Sequence, residues 1–287
     1  MKVRDILKAN RPALSCEFFP PKTDKGEDNL WTCIQELRTM QPAYVSVTYG
    51  AGGSTQDRTR RIVERIKKET ELEPVAHLTC VGSTQEQLAE LLDQYQTAGI
   101  ENILALRGDP PEGMSQFQAT AGGFAYASDL TAFIHQRGDF SIAVASYPEG
   151  HPESKGGVDD DIRYLKLKQD NGADAVITQY FFDNDTFFRF RDKAVAAGVN
   201  IPLLPGIMAV TNYEQIVRFS GMCGARIPDW LHARMRPLGD DLDAIKRAGI
   251  DIATQQCQQL LTEGVTGLHF YTLNKSEATL AIARELV

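Results

Sequence analysis

The chain lacks the marks of several protein classes. Its five cysteines (Cys16, Cys33, Cys80, Cys223 and Cys257) include no C-x-x-C pair and are odd in number. Reduced thiols in an intracellular setting account for them without a disulfide framework. No apolar run approaches membrane-spanning length, and the opening residues MKVRDILKANRPALSC contain no signal-peptide core. The expectation is a cytoplasmic protein with no membrane partner. Positive charge is scarce, with 30 Lys and Arg against 38 Asp and Glu and a net charge of −8. That balance argues against a nucleic-acid partner, whose binding rests on basic surface, although it leaves room for a local basic pocket. H-E-x-x-H is absent, and His77 with Cys80 supplies only two ligands, so no metal is expected. No Walker A sequence occurs, and the glycine cluster Gly50-Ala51-Gly52-Gly53 fails G-x-G-x-x-G.

What is present is a rhythm. Eight short apolar runs span Leu14–Phe19, Tyr44–Tyr49, Val75–Cys80, Asn102–Leu106, Ser141–Tyr147, Ala175–Phe182, Ile201–Ile207 and Gly267–Leu273. Between them lie segments with helical spacing, such as Leu30, Ile34 and Leu37, or Ile62, Val63 and Ile66. Ser83-Thr84-Gln85-Glu86 reads as a capping box. Glycines at 99, 172, 198 and 264 read as helix stops with a strand soon after. Strand–helix alternation means parallel strands with helical crossovers. The first seven runs start roughly 26–39 residues apart, as βα units do. The gap before the eighth is longer and holds Thr211–Ser220, a turn or short helix at Pro228–Met235, and a helix from about Leu238 to Thr262. The expected architecture is therefore α/β: a (β/α)8 TIM barrel over residues 1–287, with an extra helical insertion between strands seven and eight. A doubly wound sheet is the rival, but the first strand ends in Phe18-Phe19-Pro20-Pro21, which cannot make a phosphate turn. Pro110 to Phe124, rich in Gly and Pro, reads as a loop or lid.

In such a barrel the C-terminal strand ends converge on one active face, and each run carries a polar residue to that region. Glu17 lies inside an apolar strand, where desolvation should raise its pKa and suit it to general-acid work; a buried Arg or Lys partner is the alternative. Arg107-Gly108-Asp109 closes the fourth run, with Gly108 allowing close backbone approach to a ligand, or else Arg107 and Asp109 simply pair across a turn. His77 is as readily a packing residue as a ligand contact. Gln179 beside Tyr180, Phe181 and Phe182 can read the edge of a heteroaromatic ring, though such a run also serves as core. Asp159-Asp160-Asp161 reads as a solvated helix start.

Taken in order, Cys16-Glu17-Phe18-Phe19-Pro20-Pro21, Val45–Ala51, His77-Leu78-Thr79-Cys80, Ala105–Asp109, Tyr126–Leu130, Tyr147-Pro148-Glu149, Ile177–Asp183, Pro205-Gly206-Ile207 and His269–Asn274 closely resemble bacterial-type methylenetetrahydrofolate reductase. The resemblance runs from about residue 14 to the C-terminus. It implies a flavin enzyme with non-covalent FAD that reduces 5,10-methylenetetrahydrofolate to 5-methyltetrahydrofolate for methionine synthesis. NADH or NADPH is the implied donor, by a ping-pong route. Glu17 then matches the acid that protonates folate N10, and Asp109 the carboxylate that tunes the flavin and stabilises the cationic intermediate. Gln179, Phe219, Tyr271, Lys275 and Thr48 match substrate contacts. Thr48, Tyr49, Ala51, His77, Arg107, Gly108, Asp109, Tyr126, Ala127, Tyr147, His151, Asp161 and Lys168 match the surroundings of FAD, with Arg107, His151 and Lys168 as pyrophosphate or ribose partners. Lys275 stands where the best-known bacterial members carry Arg, which weakens bidentate recognition of a folate carboxylate. The segment at Asp159–Asp161 is one residue longer, so Asp160 competes with Asp161 for its role. A homo-oligomer, tetramer or dimer, is implied, and inhibition by adenosylmethionine is not. The rival functions are a non-redox folate lyase or transferase and a silent ligand-binding barrel.

Overall fold

Parallel strands alternating with helices are covered on both faces, and a twisted sheet of eight can close on itself. The computed structural model, which describes residues 1–9, 11–49, 56–109 and 117–286, does so. Strands β1 (Ala13–Phe18), β2 (Tyr44–Val47), β3 (Pro74–Thr79), β4 (Asn102–Leu106), β5 (Ser141–Ser146), β6 (Ala175–Tyr180), β7 (Leu203–Ile207) and β8 (Gly267–Tyr271) pair in chain order. Every pairing is parallel, and β8 returns to β1. Each expected run holds one strand. Most strands stop a residue or two before the end of the run, where the chain turns out of the ladder into the loop that follows.

The helices are α1 (Val3–Ile6), α2 (Asp24–Leu37), α3 (Gln56–Glu69), α4 (Gln85–Thr97), α5 (Ala127–Arg137), α6 (Gly157–Asp170), α7 (Asn184–Ala196), α8 (Tyr213–Cys223), α9 (Asp229–Met235), α10 (Leu242–Thr262) and α11 (Glu277–Arg284). Thus α8, α9 and α10 form the insertion between β7 and β8. The four expected glycine stops, at 99, 172, 198 and 264, all have positive φ. The capping box sits one residue later than expected. Thr84 is the N-cap and exchanges hydrogen bonds with Gln87, while Ser83 is buried.

Alternation along each strand divides the interior in two. Cys16 and Phe18 face the helices in the main core, while Ala13, Ser15 and Glu17 face the barrel axis. Near the N-terminal end of the axis, Ala13, Tyr44, Val75, Leu104, Ala143, Ala175, Ile177 and Leu204 make an apolar plug. Helix α1 closes it from below with Val3 and Leu7, anchored by the Val3 N–H donating to Asn102 Oδ1 at 2.7 Å and the Arg4 N–H to Ser141 Oγ at 3.0 Å. A cavity of about 510 Å³ lies outside this plug, lined by Asp5, Ile6, Arg11, Pro42 and Glu71 among others. It is on the face opposite the residues singled out for chemistry.

Glycine inside a helix is unfavourable unless packing requires it. Gly249, buried in α10, has such a reason, since a Cβ there would lie 1.9 Å from the Val210 carbonyl oxygen. That contact seats the insertion against the loop after β7. Gly249→Ala should therefore destabilise the protein by roughly 1–3 kcal/mol through overpacking, read as a lowered urea midpoint at constant slope. A midpoint equal to that of the parent protein would contradict the close approach.

Candidate active site

Glu17 is the last inward-facing residue of β1. The strand register sets it beside Ser46 of β2 and Tyr271 of β8, and its side chain is 16% exposed, so it is accessible but not solvated. Its Oε2 lies 3.4 Å from Nε2 of both His77 and His269. These are long contacts, from β3 on one side and β8 on the other. One layer deeper, Ser15 Oγ donates to the Leu268 carbonyl at 3.1 Å and meets His269 Nδ1 at 2.8 Å. With its own hydrogen committed to Leu268, Ser15 can only accept, so His269 Nδ1 carries a proton. The other ring nitrogen, Nε2, faces Glu17, and their 3.4 Å contact is a hydrogen bond when one proton lies between them. Tyr44 stacks on the His269 ring at 6.2 Å.

The expected rise in the Glu17 pKa is not what this surrounding produces. Burial does push it up, but the hydrogen bond to His269, and the attraction of His77 and His269 when either imidazole carries a proton on both nitrogens, hold it below the ordinary carboxylate value. His77 is itself buried, which drives its pKa down to about 4 against the opposing pull of Glu17, so it is neutral near pH 7. The structure thus places His77 beside the acid. His269 gives little signal in the sequence, being a lone histidine in an apolar run, but it stands two residues before Tyr271 and so shares its inward face.

The ends of β4 and β5 carry a second group. Gly108 has φ +86°, and a Cβ there would lie 3.0 Å from both Thr79 and Val81, so only glycine fits this turn. Arg107 pairs with Glu153 at 2.6 Å and covers the Phe117 ring at 5.0 Å, not with Asp109, which is exposed at the rim. Tyr147 and His151 pack edge to face at 4.6 Å. Burial raises the Tyr147 hydroxyl to about 12, with the Asp109 charge adding to the effect. His151 has its pKa lowered by burial and by Arg107, and its Nδ1 accepts the Glu153 N–H at 3.1 Å. The His151 N–H donates to Asp161 Oδ2 at 2.5 Å, whereas Asp160 pairs with Arg163. Of the two aspartates, Asp161 is therefore the one bonded to the β5 loop. Lys168, half-buried, donates to the Ala145 carbonyl at 2.5 Å, and burial brings its pKa down to about 8 despite Asp161.

Around the rest of the mouth, Thr48 and Tyr49 follow β2. Thr48 is half-buried, and burial raises the Tyr49 hydroxyl to about 12. Ala51 lies outside the described residues, as do residues 110–116 of the expected lid. Exposed Tyr126 precedes Ala127, the first residue of α5. On the opposite arc Gln179 folds back, its Oε1 accepting the Tyr180 N–H at 3.0 Å. Tyr271 donates to the Thr178 carbonyl at 2.9 Å. Gly206 makes room for that reach, since a Cβ there would lie 2.6 Å from the Tyr271 ring. Phe219 is half-buried on α8 beneath the Arg218 guanidinium at 5.4 Å, and Lys275 is exposed just after β8. The described residues hold no helix long and apolar enough to cross a membrane and no group of three or more potential metal ligands.

A family model described as methylenetetrahydrofolate reductase matches residues 2–287. The 5,10-methylenetetrahydrofolate reductases of Pectobacterium carotovorum and Escherichia coli are 43% and 42% identical, each over 95% of this chain and 89% and 90% of their own. A plant relative, methylenetetrahydrofolate reductase (NADH) 1 of Arabidopsis thaliana, is 40% identical over 99% of this chain, which spans 50% of that longer protein. Among solved structures, a Clostridium thermocellum protein that binds two copies of 5-methyl-5,6,7,8-tetrahydrofolic acid superposes with a TM-score of 0.68. It covers 99% of this chain and 97% of its own at 16% identity, which speaks to the fold alone. Oxaloacetate acetylhydrolase, a non-redox enzyme, shares that fold with a TM-score of 0.54, so the barrel by itself does not select a chemistry. Sequence similarity along nearly the whole length does: this chain belongs to the methylenetetrahydrofolate reductase family of oxidoreductases.

Proposed function

We propose that the chain is one flavin-binding barrel that reduces 5,10-methylenetetrahydrofolate to 5-methyltetrahydrofolate, with NADH or NADPH as donor and a non-covalent FAD as carrier. The two substrates take turns on one face, in ping-pong order. The observation that carries this reading is the Glu17 carboxyl, sheltered at the head of the axis with its Oε2 3.4 Å from Nε2 of His269.

The arc from β3 to β5 fits a flavin dinucleotide. Gly108 leaves the turn after β4 bare. Arg107, His151 and Lys168 gather donors for a pyrophosphate or ribose in an otherwise acidic chain, and the α5 N-terminus at Ala127 offers unsatisfied N–H groups to an anion. Thr48, Tyr49, His77, Tyr126, Tyr147 and Asp161 complete that surround. When bound, FAD supplies the two-electron carrier between nucleotide and folate.

The chain's own residues do the remaining work. The proton shared by His269 and Glu17 passes through the Glu17 carboxyl to folate N10, so that the five-membered ring opens and the methylene carbon becomes electrophilic. His269, fixed by Ser15, orients that proton and faces the carboxylate left behind. Asp109 adds negative charge beside the cationic folate and biases the flavin potential. Gln179 and Tyr271 read the pterin, Phe219 covers whichever substrate occupies the face, and Lys275 offers a point charge to the glutamate tail. Supply of methyl groups for methionine synthesis, a cytoplasmic location and a dimeric or tetrameric assembly belong to the same reading and rest on the family resemblance alone.

Purified protein should be yellow and should bleach when NADH or NADPH is added without oxygen. Colourless protein that takes up no FAD would overturn the redox reading. Glu17→Gln should keep flavin reduction by the nicotinamide within about twofold, while folate turnover falls by at least about 10²-fold, the scale of a lost general acid. Equal loss in both half-reactions would make Glu17 structural. Asp109→Asn should raise the flavin potential and slow the folate half-reaction; an unchanged potential would remove the tuning role.

A further inference from the structure

The loop after β5 meets the end of α8 at a carboxylate that the proposed chemistry does not use. Glu149, half-buried, accepts the backbone N–H of Arg226 through Oε2 at 2.8 Å. Burial pushes its carboxyl above the usual value, against the favourable bond and charge of Arg226. Arg226 sits in the short linker, residues 224–228, that joins α8 to α9.

Two further contacts close on the same point. Gly224 ends α8 at φ +77°, where a Cβ would lie 2.8 Å from Pro152 Cγ, so the helix end rests directly on the β5 loop. From the other side, the Tyr180 hydroxyl meets Ser220 Oγ at 3.1 Å and accepts from the Cys223 thiol at 3.4 Å. The space left between these groups is about 10 Å³, lined by Tyr147, Glu149, Gln179, Tyr180, Cys223 and Ala225 among others. That is room for about one water molecule. The last turn of α8 is therefore wedged between the ends of β5 and β6.

The wedge joins two halves of the mouth. Tyr147 and His151 share the β5 loop with Glu149, and Gln179 adjoins Tyr180. Phe219 adjoins Ser220, one turn before the helix end. We propose that Glu149 is a positioning residue that sets the C-terminal turn of α8, and with it Phe219, against the cofactor-side loop. The proposal rests on the reading that Phe219 covers the reacting face for both substrates.

A lost hydrogen bond to a charged group commonly amounts to about tenfold in an equilibrium. Glu149→Ala should accordingly raise KM for methylenetetrahydrofolate and for the nicotinamide donor together by about tenfold, with kcat held within about twofold. Glu149→Gln keeps an oxygen acceptor for the same N–H and should restore both values to within about twofold. In a Phe219→Ala background the Glu149→Ala effect should shrink below about twofold, since a residue that acts through Phe219 has nothing left to position. Independently of turnover, backbone amides of residues 213–226 should exchange with deuterium faster in Glu149→Ala than in the parent or in Glu149→Gln.

Unchanged exchange in Glu149→Ala overturns the proposal. So does a KM effect that persists undiminished in the Phe219→Ala background, or a Glu149→Gln variant as impaired as the alanine. If the parent protein neither binds FAD nor reduces folate, the functional reading fails on its own, and the exchange comparison still decides whether Glu149 holds α8.

Discussion

A carboxyl group placed inside a barrel must be compensated by groups equally withdrawn from water, and that constraint organises this site. Glu17 meets it with two imidazoles on one oxygen, one backed by Ser15. Each partner comes from a different strand, so the compensation exists only in one register. Ser15 opposes His269 and Glu17 opposes Tyr271 across the β1–β8 seam. A slip of one residue would turn the acid toward the helices and leave Cys16 on the axis. The seam that closes the barrel and the setting of its buried carboxyl are thus one piece of structure.

The mouth divides into two arcs of different character. From β3 to β5 it offers a bare glycine turn, basic groups held by exposed or half-exposed carboxylates, and the start of α5. From β6 to β8 it offers an amide, tyrosines and the aromatic on α8. Space on the second arc is made by omission: Gly206 lets Tyr271 lean across to the Thr178 carbonyl. Charged, flexible ligand parts suit the first arc and flat rings the second, with Glu17 and its histidines between them.

Most of the fold was legible in the sequence because a parallel barrel writes each strand as a short apolar run, and helix stops need glycine. The insertion was visible as a long gap between the last two runs. Run ends were overextended, since Tyr49, Tyr147 and Leu273 are apolar enough to read as strand although they have left the ladder. The motif residues lie at the C-terminal strand ends, as strand order implies, but their partners were out of reach. Arg107 chose Glu153 over its near neighbour Asp109, a choice made by the loop after β5. The Glu17 pKa depended on His77 and His269, 60 and 252 positions away along the chain. Inward alternation from Tyr271 would have pointed to His269; nothing local to β1 could have reversed the expected direction of the shift.

The apolar plug beneath the polar layer has a kinetic corollary. Val3 and Leu7 of the N-terminal segment and the ring of Leu104, Ile177 and Leu204 set a layer of apolar side chains between the lower surface and Glu17. The Glu17 carboxyl is thereby left facing the opposite, C-terminal end of the axis. A ligand that filled the mouth would screen that carboxyl from bulk solvent, and isotopic equilibration of its hydron would wait for the ligand to depart.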